Sequence, residues 1–344
     1  MPLQPLDLTE IRHAMANEKR DSLSANSPDN FLALGGFAPT AANVSVNEQT
    51  ALQSAAVFGC IRIISGLIAS QKLHVYELLP GGGRQIATDH PLEYLLSTRP
   101  SDELDAYMLK ETALIHLLTR GNAFFVKLRN SGKVTQIDLL SPFATTVYRD
   151  SKEGSLIYQF VSQEGRTYSF QQTDIIHVRN LSWDGIVGMS PIQMYAREAI
   201  GLDLGLRNYG ARYIANGTTA SGILAFKQKI SPDDRKQIEK DIVSAHSGQN
   251  VHRALVVGAE ATWQNLSISP EEAQFLQSRG FQRNEICAGI YGVPPHLLGD
   301  NEQTKAGVSE QNSALLQNTL SSWIARIESA FNVSLLSNNP RFSF

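Results

Sequence analysis

The sequence predicts an α+β protein, and three observations carry that prediction. Residues 47–188 pass from helical apolar periods into short alternating segments split by glycine, the pattern of helices packed on an antiparallel meander. Three later helices open alike, with serine as N-cap and proline in the first turn: Ser190-Pro191, Ser231-Pro232 and Ser269-Pro270. Between the first and third of these lies a small unit that reads strand, helix, strand, strand.

Each element has its own justification. Residues 1–46 cluster Ser, Asn, Pro and Gly without a period and read as a flexible arm, or as an arm that docks on a neighbouring subunit. From Asn47 to Gln71, Leu52, Ala55, Ala56, Ile63, Ile64, Leu67 and Ile68 predict one helix that is apolar around most of its girth and therefore largely buried. "KLHVYELL" alternates as a strand and "PGGGR" turns it; with no Lys-Ser/Thr after the glycines, this is no phosphate loop. "HPLEYLLST" and "DELDAYMLKETALIHLLTRG" are helices, the second closed by Gly121 at a C-cap. A hairpin follows around Asn130-Ser131-Gly132, then strands split by Gly154 and Gly165, and "DIIHVRNLS" is the last strand of the group.

The helix from Pro191 is expected to run to about Asn216 and the one from Pro270 to about Tyr291, lengths of about 39 Å and about 33 Å at 1.5 Å per residue. The short Pro232 helix carries Asp233 and Asp234 against its positive end, and Glu272 completes a capping box with Ser269. The plainest geometry is a stalk of two helices bearing a small α/β unit at its tip. The first stalk helix holds Gly201, Gly205 and Gly210 in its interior, each costing about 1 kcal/mol relative to alanine. A flat glycine face points to close packing, either on the partner stalk helix or on a copy of itself. A last amphipathic helix begins at Ser309, with Leu315, Leu316, Leu320, Trp323, Ile324 and Ile327 on one face.

Composition narrows the function. The 344 residues carry 30 basic and 33 acidic side chains, a net charge of −3, so the chain lacks the basic surplus of a protein that grips DNA tightly. Cys60 and Cys287 lie in apolar helical patterns without metal-ligand partners and read as buried thiols in a reducing compartment. No signal peptide is expected, and the most apolar stretch, Ala55 to Ser70, is too short to span a bilayer and contains Arg62. Catalytic, cofactor and metal sites are all read as absent. Asp174 and His177 sit at odd strand spacing, His246 and His252 have no acidic or cysteine partners, and no nucleophile-elbow, zincin or nucleotide-loop motif is present.

Several motifs in order, from Ala51 to Leu336, resemble the tailed-phage portal proteins of the HK97 type. They are "AVFGCIRIISGLIASQKLHVYE", "HPLEYLLSTRP" followed by "LLTRGNAFFVKLRNSGKV", "DIIHVRNLSWDGIVGMSPIQ", "YIANGTTASGIL" and "GIYGVPPHLLGD". The resemblance implies a non-enzymatic protein of the virion, made in the host cytoplasm. It would form a homo-oligomeric ring, usually of twelve subunits, at one capsid vertex. Double-stranded DNA would be packaged through that ring by the terminase and ejected through the tail. Implied partners are the terminase large subunit, the major capsid protein and a head–tail connector or adaptor protein, with no membrane. The competing reading is a monomeric phage-related adaptor without a channel.

The resemblance also divides the chain. After the arm, 47–188 would be the wing, 189–217 the first stem helix, 218–268 the clip and 269–293 the second stem helix. Residues 294–308 would be the tunnel-loop region, 309–336 a long wing helix, and 337–344 the start of a minimal or truncated crown. The polar stretch Gly299, Asp300, Asn301, Glu302, Gln303, Thr304, Lys305, Ala306, Gly307 would face the DNA channel, which explains why it has so little to bury. Lys305 is the residue expected to touch phosphate in passing. Arg197, Arg207 and Arg212 fall around the stem helix without forming a stripe. Gly201, Gly205 and Gly210 would serve stem packing, and Asp233, Asp234, Arg235 and Lys236 would lie where motor and connector dock on the clip.

Overall fold

The computed structural model describes residues 39–150, 153–215, 222–226, 231–245, 261–265, 272–299, 305–336 and 341–344. Its architecture is mixed α and β. Where the sequence pattern gives one helix from Asn47, the structure has two, α1 (Glu48–Ala51) and α2 (Ala55–Ala69). Local caps make the break. Asn47 and Thr50 cap each other reciprocally, and the Ser54 hydroxyl accepts from the Val57 amide to start α2 afresh. α2 buries Val57, Cys60, Ile61, Ile64 and Ile68 but leaves Phe58 and Leu67 exposed, so it is less enclosed than its composition implies.

Strands β1 (Tyr76–Leu78) and β2 (Arg84–Ile86) form the expected hairpin, with Gly82 and Gly83 at positive φ in its turn. Helices α3 (Pro91–Ser97) and α4 (Ala106–Arg120) follow. Gly121 ends α4 at φ 77°, and a Cβ there would collide with the Met189 carbonyl, so glycine is required both for the turn and for the approach. Strands β3 (Asn122–Asn130) and β4 (Lys133–Leu140) pair around Ser131 and Gly132, both at positive φ. Strands β5 (Thr145–Arg149), β6 (Leu156–Val161) and β7 (Thr167–Gln171) make a separate three-stranded sheet. Then β8 (Ile175–Arg179) returns to the free edge of β3, giving the order β4-β3-β8.

Two clusters of buried side chains result. The larger joins α2, α4 and one face of β3 to the later helices; the smaller, around Tyr158, Phe160 and Phe170, lies between the two β sheets. Because β3 is central, it contributes to both: Phe125 faces the first and Phe124, Val126 and Leu128 the second.

The Ser190 hydroxyl caps the next helix through the Gln193 amide. That helix opens with a wide π-type turn (Ile192–Ala196) and continues as α5 (Arg197–Ala215). A two-stranded ladder of β9 (Gly222–Phe226) with β10 (Ala261–Asn265) flanks α6 (Pro232–Ala245) in sequence. The predicted strand "RALVVG" and the Ser269-Pro270 cap lie outside the described residues. α7 (Glu272–Asn284) packs on α5 and ends in a second π turn (Glu285–Ile290), where the Tyr291 amide bonds the Ile286 carbonyl at 3.2 Å.

A short 3₁₀ turn (Pro295–Leu298) precedes α8 (Lys305–Ala314), a third π turn (Leu315–Leu320) and α9 (Ser321–Phe331). Phe331 packs edge-on against Phe125 of β3 at 5.0 Å. After a last π turn (Asn332–Leu336), β11 (Phe342–Ser343) pairs antiparallel with β1, giving the sheet order β11-β1-β2. Phe342 and Ser343 thus extend the sheet of the first hairpin.

Candidate channel site

The polar stretch after α7 is held at both flanks. On the near side, Leu298 fits against Gly59 of α2: a Cβ at position 59 would lie 2.1 Å from a Leu298 methyl carbon and clash with it. Gly299 caps the 3₁₀ turn at φ 89°, where a Cβ would meet nothing within 4 Å, so glycine serves the left-handed backbone and not a close approach. Behind it, Val293 and Tyr291 are buried, and the Tyr291 hydroxyl donates to the Leu118 carbonyl of α4. Burial pushes the Tyr291 hydroxyl pKa upward, so it remains a neutral donor. Gly292, at φ 66°, has its carbonyl bonded by the Thr319 hydroxyl at 2.8 Å, and a side chain at 292 would strike Thr319.

Across the stretch, His296 reaches the helix that follows. Its Nδ1 lies 2.6 Å from Gln311 Oε1 and its Nε2 3.0 Å from Asn312 Oδ1. This clamp ties residue 296 to residues 311 and 312 and so closes the base of the loop. No local pattern signals it, because its partners are fifteen and sixteen residues apart.

The far flank differs from the sequence reading. The helix restarts at Lys305, not Ser309, so Lys305, Ala306, Gly307 and Val308 are helical. Gly307 lies inside this helix, where one glycine costs about 1 kcal/mol and is tolerated. Residues Asp300, Asn301, Glu302, Gln303 and Thr304 lie outside the described residues.

Chain comparison decides what this arrangement belongs to. The family model described as phage portal protein matches residues 55–344. A probable portal protein of Streptomyces phage phiC31 is 33% identical over 320 residues, covering 89% of this chain and 69% of that protein. The portal protein of Enterobacteria phage HK97 is 29% identical over 292 residues, covering 83% of this chain and 68% of its own.

The chain belongs to the phage portal protein family.

Its fold agrees: a chain from the neck of a native gene transfer agent particle, determined with C12 symmetry, superposes with a TM-score of 0.63 at 19% identity, covering 98% of this chain and 88% of that one.

In this portal-family chain the glycine face of α5 is occupied, but not as expected. A Cβ at Gly201 would overlap the side chain of Thr40, and one at Gly205 would lie 3.4 Å from Ala42 and 3.8 Å from Val44. Gly201 and Gly205 therefore seat residues 40–44 of the same chain. The segment is fixed by its own bonds: the Ala41 amide donates to Glu198 of α5 at 2.9 Å, and the Thr40 hydroxyl and amide both donate to the Val44 carbonyl. The arm predicted through residue 46 thus packs from residue 40, with Thr40 and Val46 buried; residues 1–38 lie outside the described ones. Gly210 lies further along α5 and is half-buried. Nor do the α5 arginines make a stripe; Arg207 is spent on the Gln53 carbonyl at 2.7 Å.

At α6, Asp233 and Asp234 are exposed in the first turn, and Ser231 with Asp234 forms a reciprocal cap: the Asp234 amide donates to the Ser231 hydroxyl at 3.1 Å, which donates to the Asp234 carboxylate at 2.7 Å. Lys236 is exposed beside them, and Arg235 takes its place on the helix backbone.

A buried polar hub was also missed. His177 on β8 sits with Nε2 2.9 Å from Asn122 Oδ1, while the Gly188 amide donates to the same oxygen at 2.7 Å. That oxygen can only accept, so Nε2 carries the proton and Nδ1 is the acceptor, facing Arg179 Nε at 3.1 Å and the Tyr158 hydroxyl at 3.3 Å. Burial, and then the Arg179 charge, hold the His177 pKa well below the ordinary range, so the ring is neutral. Asp174 makes no part of this network; its carbonyl accepts from Lys127 on β3. The hub's effect is structural: Asn122 also donates to the Gly188 carbonyl at 2.7 Å and so pins the loop that leads into α5. Among the described residues no group of His, Cys, Asp and Glu could hold a metal ion, and no helix is long and apolar enough to cross a membrane.

Proposed function

We propose that this protein is the portal of a tailed phage: a ring of identical subunits at one capsid vertex, through which double-stranded DNA is packaged and later ejected. The match to the portal family over 55–344 carries the assignment. The role is that of a structural conduit, not an enzyme.

Residues 47–188 serve as the wing, with α9 laid against it. α5 and α7 form the stem, and 218–268 the clip. Residues 299–308 form the tunnel loop, with Lys305 to Val308 belonging to the helix that follows. The His296 clamp and the Leu298 anchor support this reading, since a loop that lines a moving cargo needs a fixed base. The absence of a net basic charge supports it too: many phosphate contacts repeated around a ring would hold DNA rather than pass it. Exposed Asp233, Asp234 and Lys236 on α6 are the proposed docking points for the terminase large subunit and a connector protein, and the major capsid protein is a further proposed partner.

The test is a packaging reaction with capsids that contain or lack this chain, read as nuclease-resistant DNA. The reading requires protection only with the chain present. Replacing Lys305 by alanine should lower the yield of filled heads while rings form normally; filled heads at the unaltered yield would remove Lys305 from the mechanism.

A further inference from the structure

Cys60 and Cys287 come from distant parts of the chain and meet in the larger core cluster, both without solvent exposure. Cys60 lies on α2 and Cys287 in the π turn that ends the α7 helix, two elements that pack together. Each thiol is the other's hydrogen-bond partner. The contact is backed on both sides: Gly59, beside Cys60, makes room for Leu298, and the Cys287 carbonyl accepts from the Val293 amide at 2.8 Å. The pair therefore stands where α2 meets the base of the segment read as the tunnel loop.

Two small apolar residues would fill that place as well, since a buried thiol packs as a small hydrophobe. What thiols add is chemistry, and two of them facing each other across two elements can join those elements. Adjacent thiols need only side-chain rotation to reach the S–S bond length of about 2.05 Å. The pair is also unequal. The hydrogen bond from Cys60 lowers the Cys287 pKa; burial opposes that and the Arg283 charge adds to it. The same hydrogen bond, and then burial, raise the pKa of Cys60. Cys287 is thus the thiol that ionises, and the thiolate is the form that reacts.

We propose that Cys60 and Cys287 form a redox latch: peroxide joins them in a disulfide that fastens α2 to the π turn and stiffens the base of the loop. The Cys287 thiolate attacks one oxygen of hydrogen peroxide, the O–O bond breaks, and the sulfur becomes a sulfenic acid. The hydroxide that leaves recovers, as water, the proton Cys287 had lost. The Cys60 sulfur then attacks the Cys287 sulfur, the S–O bond breaks, and a second water leaves with the Cys60 proton. The two thiols give up two electrons and one peroxide accepts them. Burial admits so small an oxidant during local opening and shuts out bulky reagents. The position gives the bond its effect. The π turn is held by wide bonds such as that from the Tyr291 amide to the Ile286 carbonyl, and a π turn is a place where a helix readjusts. A reducing compartment keeps the latch open, and removal from it lets the latch close.

The experiment treats the purified full-length chain with hydrogen peroxide, digests it without reductant and reads the peptides by mass spectrometry, with exposed Met194 as the gauge of dose. At a dose that oxidises Met194 fully, the expected product is a peptide pair joined through Cys60 and Cys287, with amide exchange across residues 286–298 slowed at least tenfold. Reductant should restore both thiols and the original exchange rate. Cys60→Ala should give no link and an exchange rate that peroxide does not change. Free thiols at that dose, or Cys287 oxidised to a sulfinic acid without a link to Cys60, would overturn the proposal. A link that leaves exchange unchanged would overturn the latch as well. Should Cys60→Ala fail to fold, the reductant step on the unaltered chain makes the same comparison. None of these readouts needs a ring, so their failure leaves the portal reading standing.

Discussion

Gly201 and Gly205 lie one turn apart on α5, yet alanine should act on them with opposite sign. In both places alanine gains about 1 kcal/mol of helix propensity. At 205 the new Cβ would meet only Ala42 at 3.4 Å and Val44 at 3.8 Å, ordinary contacts, so most of that gain survives. At 201 it would overlap Thr40 at its Cβ, Oγ1 and Cγ2 together. Thr40 cannot swing aside, because it is β-branched, buried and bonded through its hydroxyl and amide to Val44. Overpacking of this kind costs about 1–3 kcal/mol. Gly205→Ala should therefore stabilise by up to about 1 kcal/mol, and Gly201→Ala should destabilise by up to about 2 kcal/mol. Urea unfolding of the full-length variants measures both, and limited proteolysis should cut Gly201→Ala faster near residues 40–46. Equal shifts of the same sign would refute the reasoning, because they would show that residues 40–44 do not sit on α5.

Three further predictions concern titration and the loop clamp. The His177 pKa is lowered in the folded state, so the unfolded chain takes up that proton first; stability should fall as pH drops below about 6.5, and His177→Gln should flatten that limb of the urea midpoint against pH. Lys127, buried on β3 with its ammonium on the Ser334 carbonyl, has its pKa lowered to about 8, by burial first and then by the Arg129 charge. The unfolded chain binds the extra proton between pH 8 and the ordinary lysine value, so stability should rise with pH across that window, and Lys127→Met should abolish the rise. His296→Ala removes both bonds across the loop base and should cost about 1–3 kcal/mol, with faster amide exchange in residues 296–299 and 309–312; unchanged exchange would mean that the clamp does not hold the loop.

What could be read in advance depended on how local the cause was. Ser190, Ser231 and Gly121 act on amides or carbonyls within four residues, and each caps as its sequence implies. The Ser131-Gly132 turn likewise sets its own hairpin. The misses share a long reach. Residues 40–46 have no period, because what orders them is a glycine face more than 150 residues away. The Cys60 and Cys287 thiols are buried as their apolar patterns imply, but that α2 meets the end of the α7 helix beside them is set by the tertiary fold. The His296 clamp needs partners across the loop. Residues 305–308 differ from the pattern for the opposite reason: the polar run hides a helix that starts at Lys305, and its helical neighbours outweigh the single Gly307.

Imaging of the purified chain in ice is the most direct test of the central claim. The account predicts closed rings with an open centre, the stem helices α5 and α7 running along the channel and residues 299–308 projecting into it. Rings with that segment on the outer rim would contradict the channel assignment. Particles with no central opening at any concentration would contradict the portal reading itself.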